Sequence, residues 1–366
     1  MMKHRTPFIR SALGASVLLL ASGIAAADIA RIGLVRVTEG ELPQIEIHGD
    51  WASGCAPVLD GVSAVGNQIT VSAKTDSNRC SAAPGPYQLR AELPTGSKSF
   101  AAGEVVRLRF ELRDDPVSEP RLLAFELVSV GGAEDVDAPA IDPETGFWWG
   151  EPGGEFDHAG PGIGAQIERQ GGTLAVSFSG YGETGKPEWM FGASAFSGRR
   201  TDIALTRLEG GRGPFGGYVG PADAESVGRL QIEWLTSARA VFWFSRVDAE
   251  GRGIDLQPIS MVRFDFGQQP GLSWNGRWRF ENVGDGKPLE IEFVDMLLED
   301  DEFTLISKAG ETLTCASALD RPQSPPVACE LEHLDGRTWR FEDIGLARLQ
   351  GRDQNGHAVR AVQFSR

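Results

Sequence analysis

Three ionisable side chains, Glu155, Asp157 and His158, fall within four residues of a Gly-rich stretch, and a Trp pair, Trp148 and Trp149, stands just before it. Two carboxyl groups act as acid and base, or acid and nucleophile, on a glycosidic bond when they stand about 5–10 Å apart across a bound sugar. Neighbouring places on a loop do not create that separation, so a solvated loop is the simpler reading of the cluster. Tryptophan offers a second chemistry, because an exposed indole stacks on a sugar ring whereas a buried one fills a core. Five of the nine Trp residues, Trp148, Trp149, Trp189, Trp234 and Trp243, share one stretch of chain. Core packing is the expected role for most of them. Trp148 and Trp149 are adjacent, however, and on a strand they must project to opposite faces. The candidate contact residues are therefore Trp148, Trp149, Trp189, Glu155, Asp157 and His158, and no catalytic residue is assigned.

Other chemistries lack their residues. There is no G-x-S-x-G elbow, and Ser177 and Ser179 read as outward strand positions. Gly210-Gly211-Arg212-Gly213 lacks the Lys and the strand-to-helix setting of a phosphate loop. His48, His158, His333 and His357 are scattered and no C-x-x-C occurs, which disfavours zinc. Asp135, Asp137 and Asp142 invite calcium, but the Gly and distal Glu of an EF-hand loop are missing, and a solvated linker is the expectation. No metal or cofactor is expected.

The elements that must position these residues begin with a targeting segment. Lys3, Arg5 and Arg10 precede an apolar run over 12–24 that ends in Ala25-Ala26-Ala27, which is the pattern of a secretory signal peptide over 1–27. That segment carries three cations and no anion, so its removal shifts the formal charge from -16 to -19. Nucleic acid and anionic membrane are disfavoured as partners by this balance, since both need clustered Lys and Arg. Arg107, Arg109 and Arg113 alternate with apolar residues in the manner of a solvated strand face. No later stretch is apolar and long enough for a spanning helix, and no membrane insertion is expected. An exported chain, periplasmic or extracellular, pairs its cysteines in an oxidising compartment. Four cysteines allow three pairings, and proximity favours Cys55 with Cys80 and Cys315 with Cys329.

Strand patterns fill the rest of the chain. Over 28–130 about seven short alternating runs fit a β-sandwich of immunoglobulin-like size, the clearest being Val106, Leu108, Phe110 and Leu112 against charged neighbours. The 131–144 segment, GGAEDVDAPAIDPE, reads as a linker. Over 145–266 eight strands are expected, including a hairpin of Ile163, Ala165 and Ile167 with Leu174, Val176 and Phe178, and runs near 188–196, 201–209, 229–235, 240–246 and 254–259. Eight strands with local turns make an antiparallel meander that curls toward a barrel and hides its edges. The 276–366 region repeats the style as a second meander, either a barrel of its own or packed on the first as one composite domain, with turn signals at Asp285-Gly286, Asp335-Gly336 and Asn355-Gly356. A helix over 293–299 competes there with a strand. Gly276-Arg277-Trp278 loosely echoes Gly146-Phe147-Trp148. The fold class is all-β.

The motifs Gly146-Phe147-Trp148-Trp149, Pro161-Gly162-Ile163-Gly164, Gln170-Gly171, Gly185-Lys186-Pro187-Glu188-Trp189 and Gly213-Pro214-Phe215 resemble a Trp-Trp, Gly-x-Gly, Gln-Gly β module of uncharacterised exported bacterial proteins. The likeness covers about 145–246, and the preceding domain, with Trp51, Cys55 and Cys80, is similar to the partner often found upstream. The resemblance implies export and a β-rich fold and supplies no activity. The chain departs from the module over 151–160, where its connection is longer. The expected function is a non-catalytic binding or cell-envelope interaction protein, with an extracellular glycan or envelope protein as partner. A secreted polysaccharide hydrolase and a structural component are the alternatives.

Overall fold

The computed structural model describes residues 30–36, 44–51, 55–80, 85–94, 96–101, 103–130, 141–151, 153–156, 162–182, 184–196, 198–212, 214–266, 271–282, 284, 287–299, 301–316 and 324–365. Among them the only helical turn is a short 3-10 segment, Leu272–Trp274; everything else regular is strand.

The first seven strands are β1 (Ala30–Arg36), β2 (Gln44–Trp51), β3 (Cys55–Val65), β4 (Gln68–Cys80), β5 (Gly85–Glu92), β6 (Val105–Arg113) and β7 (Arg121–Ser129). They form two sheets, ordered β1-β2-β5 and β3-β4-β6-β7. Ile45 and Ile47 from one sheet and Ile69, Val71, Leu108 and Phe110 from the other share one core, which makes the unit a sandwich. The disulfide between Cys55 and Cys80 closes the β3–β4 hairpin, the two residues lying directly opposite in register. Sequence alternation assigned β6 to a half-buried antiparallel strand. It does pair antiparallel with β7, but it runs parallel to β4, because β5 crosses to the other sheet between them. The charged face of β6 is solvated only toward the end of the strand: Arg113 is exposed and Arg109 half-buried, but Arg107 is 6% exposed.

Eight strands follow: β8 (Gly146–Gly150), β9 (Gly164–Gln170), β10 (Thr173–Tyr181), β11 (Pro187–Ala195), β12 (Arg200–Arg212), β13 (Tyr218–Thr236), β14 (Arg239–Val247) and β15 (Ile254–Arg263). Each pairs with the next, and β15 returns to β8 with Val262 opposite Trp149, closing a barrel. Strand β13 is far longer than the alternation over 229–235 implied, since its first half forms a ribbon with the end of β12. A second closed barrel comprises β16 (Gly276–Asn282), β17 (Leu289–Glu299), β18 (Glu302–Ser307), β19 (Thr312–Ala316), β20 (Ala328–Glu332), β21 (Thr338–Ile344), β22 (Arg348–Asp353) and β23 (Ala358–Ser365). The 293–299 segment lies in strand β17, and the rival helix does not form. Cys315 and Cys329 are bonded across β19 and β20 inside this barrel.

An eight-stranded barrel is just wide enough to be filled by side chains or to hold one small ligand. Both of these are filled. Trp148, Ile167, Val176, Leu205, Ile232 and Phe242 occupy the first interior, and Trp278, Phe280, Phe293, Leu305, Phe341 and Leu349 the second. Outward positions of the second barrel such as Arg277, Arg279, Glu290 and Glu292 are exposed charges, the reverse of a lipid-facing barrel wall. No helix among the described residues is long and apolar enough to cross a membrane.

The two barrels begin alike. Gly146 and Gly276 take φ of 113° and 123°, a region open to Gly alone at little cost, and a side chain at Gly146 would strike the Arg263 guanidinium. Two residues later the indole Nε1 of Trp148 donates to the Glu144 carbonyl at 3.0 Å, and that of Trp278 donates to the Trp274 carbonyl at 2.7 Å. The Gly-x-Trp echo in the sequence is thus an echo in geometry. Turns were also legible. Gly336 and Gly356 have φ of 84° and close short loops through bonds to the His333 and Asp353 carbonyls. Asp285-Gly286 lies outside the described residues.

Candidate binding face

The loop carrying Glu155 is pinned to β15 through Ser260. The Glu151 amide donates to the Ser260 carbonyl at 2.8 Å, and the Phe156 amide donates to Ser260 Oγ at 3.0 Å. At Gly154 an added Cβ would lie 2.6 Å from Ser260 Cβ, so only Gly allows this approach. Glu155 and Phe156 are thereby aimed at the sandwich, not over a cleft. Arg107 of β6 donates from Nη1 and Nη2 to the two oxygens of Glu155 at 2.8 and 3.1 Å. Its Nε donates to Glu233 of β13 at 2.8 Å. The guanidinium lies against both Phe156 and Trp243, 5.4 and 4.9 Å from their ring centroids, and the two rings also meet edge to face at 5.0 Å. Burial works to lower the Arg107 pKa, but Glu155 and Glu233 together outweigh it and the pKa is raised.

This is the joint between sandwich and first barrel. Trp243 stacks on Phe125 with centroids 4.7 Å apart, and Val105, Leu127 and Val241 complete an apolar patch around the pair. Glu233, 3% exposed, also accepts from Asn67 Nδ2 at 3.1 Å and Trp243 Nε1 at 3.2 Å. Its charge is therefore matched at every side, as a buried carboxylate requires. Beside it Arg229 joins Glu126 of β7 to Asp202 of β12. Glu155 thus serves as a strap between domains. Asp157 and His158 lie outside the described residues.

The linker expectation also changes at its end. Asp142 accepts from Arg169 of the first barrel and, at 2.6 Å, from Arg348 of the second. Glu144 accepts the Leu346 amide at 3.0 Å, and Asp343 accepts the Ser237 amide. Asp142 and Glu144, at the end of the expected solvated linker, thus join the two barrels. Asp135 and Asp137 lie outside the described residues.

The Trp candidates separate. Trp148 is fully buried against Trp234, with centroids 5.5 Å apart, and cannot touch a ligand. Trp149 projects outward, as the opposite-face rule required, and is half-buried among Phe147 and Phe264. Trp189 is 66% exposed.

The arrangement around Trp189 follows from Gly192. A Cβ there would stand 2.3 Å from Ile203 and 2.5 Å from the Ala204 carbonyl, so β11 turns this position inward against β12. Trp189, Phe191 and Ala193 then face outward by the period of two. Phe191, 47% exposed, lies opposite Ser177 on β10 and Thr206 on β12. Trp189 lies opposite Ser179. The register Met190–Arg207 brings exposed Leu208 beside Trp189, and Tyr181, 58% exposed, borders the face. The charges of these strands lie on the other side, where Arg207 joins Glu188, Glu209 and Glu225. Sequence reasoning named Trp189 and missed Phe191, Tyr181 and Leu208. The available signal was that Trp189 and Phe191 share one strand parity while Glu188 and Met190 share the other.

A groove of about 410 Å³ also runs over the outward side of the second barrel, lined by Glu302, Thr314, Glu330, Arg340 and Glu342. Arg340 is already paired with Glu330 at 2.7 Å. Among the described residues no group of three or more His, Cys, Asp or Glu is placed to hold a metal ion. Comparison of the chain with protein-family models, curated proteins and solved structures gives no match.

Proposed function

We propose that this chain is an exported, non-catalytic binding protein of the cell envelope or its surroundings, with the outward face of β10–β13 around Trp189 as its contact surface. One observation carries the reading: two large aromatic side chains, Trp189 and Phe191, stand exposed side by side on a sheet face, in two cross-strand rows without charged groups. Exposed apolar patches of this kind mark interaction sites. Both barrel interiors are filled, so the outer wall is the surface on offer. The two disulfides fit an oxidising compartment, in keeping with the signal-like segment over 1–27. The hydrolase alternative loses its best-placed carboxylate, since Glu155 holds Arg107 with both oxygens.

Cell fractionation tests this. The wild type is expected in the envelope fraction, and a Trp189→Ala, Phe191→Ala double variant is expected to be released from it. Equal retention of the two would remove the face from the function.

A further inference from the structure

We infer that the β10–β13 face takes an extended, uncharged glycan chain, with neighbouring sugar rings on Trp189 and Phe191; this rests on the binding-face reading above. The charge pattern selects the ligand. In a chain with a formal charge of -16 and 23% charged residues, the row Ser177, Phe191, Thr206, Ser226 and the row through Ser179 and Trp189 to Leu208 and Ala224 contain no ionisable side chain. A charged ligand would find no counter-ion there. It would also lose hydration without compensation.

Size selects against a protein. Four strands about 4.8 Å apart and two uncharged rows about 6.7 Å apart define a sheet footprint of roughly 100 Å². A stable protein interface needs about 800 Å² from each partner. The face instead suits two or three saccharide rings. Trp189 and Phe191 are two residues apart on one strand, so their rings are offset by about 6.7 Å along it, enough for one ring on each. The C–H face of a pyranose packs on an aromatic ring, and its rim needs hydroxyl partners. Ser177 and Thr206 flank Phe191 on both sides and Ser179 flanks Trp189. Tyr181 adds a phenol at the border.

Affinity electrophoresis of the purified protein through gels containing neutral polymers (hydroxyethylcellulose, galactomannan, dextran) or anionic ones (alginate, polygalacturonate) tests the inference. Retardation by at least one neutral polymer is expected, with little by the anionic ones. Trp189→Ala and Phe191→Ala should each weaken binding tenfold or more, while Phe266→Ala, on a different exposed aromatic of the same barrel, leaves it unchanged. Circular dichroism verifies that the variants are folded. Absence of retardation by every neutral polymer, or stronger retardation by the anionic ones, overturns the ligand class. If envelope retention still depends on Trp189 in that case, the binding face stands and only the glycan is wrong. Retardation indifferent to both aromatic substitutions overturns the face and the ligand together.

Discussion

The two barrels share a plan and differ in what covers them. Each has eight antiparallel strands, a positive-φ Gly at the start and a buried Trp whose indole holds the carbonyl four residues earlier. The first turns one flank to the sandwich, burying Gln231, Glu233, Val241 and Trp243 on its outside, and leaves another flank aromatic and uncharged. The second keeps a largely charged exterior and carries a disulfide within. The same interior thus supports two exteriors. Interaction is written on outward positions, which the barrel plan leaves free to vary.

The strongest way to break this comparison is to empty the shared core. Trp148→Ala and Trp278→Ala should each cost about 3–5 kcal/mol. Calorimetry should show each affecting mainly the transition of its own barrel, and one joint shift for both would mean the barrels melt as a unit. A comparable loss, about 3–5 kcal/mol, is expected for Arg107→Met, which strands Glu233 without its cation in a buried joint. Hydrogen exchange should then accelerate in β6 and β13 and not in β16–β23. Removing the second disulfide by Cys315→Ala with Cys329→Ala should cost about 3 kcal/mol through a short closed loop. Denaturant midpoints should fall for the second barrel alone.

A smaller effect separates the barrels by pH. Asp353 accepts from Asn282 first, then from His357 and nearby amides, and its pKa is held well below the ordinary value. A carboxylate depressed in the folded state contributes in full above the unfolded pKa of about 3.9. That contribution is lost as pH falls through the lower folded value. Asp353→Asn should therefore destabilise the second barrel at pH 7, and urea midpoints should show the gap to wild type closing below pH 4. The smallest effect is expected for Trp189→Ala, within about 0.5 kcal/mol of wild type, because this side chain is displayed and not packed.

Strands were easy to read because alternation reports which side meets a core. All eight strands of the first barrel were visible in this way. What covers the other side was not. Arg107 resembled Arg109 and Arg113 in pattern, yet its partner Glu233 comes 126 residues later, beyond any local period. Asp142 looked like linker for the same reason: Arg348 lies 206 residues away. For the site, adjacency separated Trp148 from Trp149, but only the closed sheet brought Ser177, Phe191 and Thr206 into one row. Glu155 was conspicuous by composition, and its role came from a contact with another domain.

The closure of each barrel has a consequence for ancestry. Because β15 returns to β8 and β23 to β16, each unit begins and ends on neighbouring strands at the same rim. Such a unit behaves as a cassette: a copy can be spliced in tandem or excised through short joints without rethreading its neighbours. The paired Gly-x-Trp starts are what two such copies would retain after their outer walls had diverged.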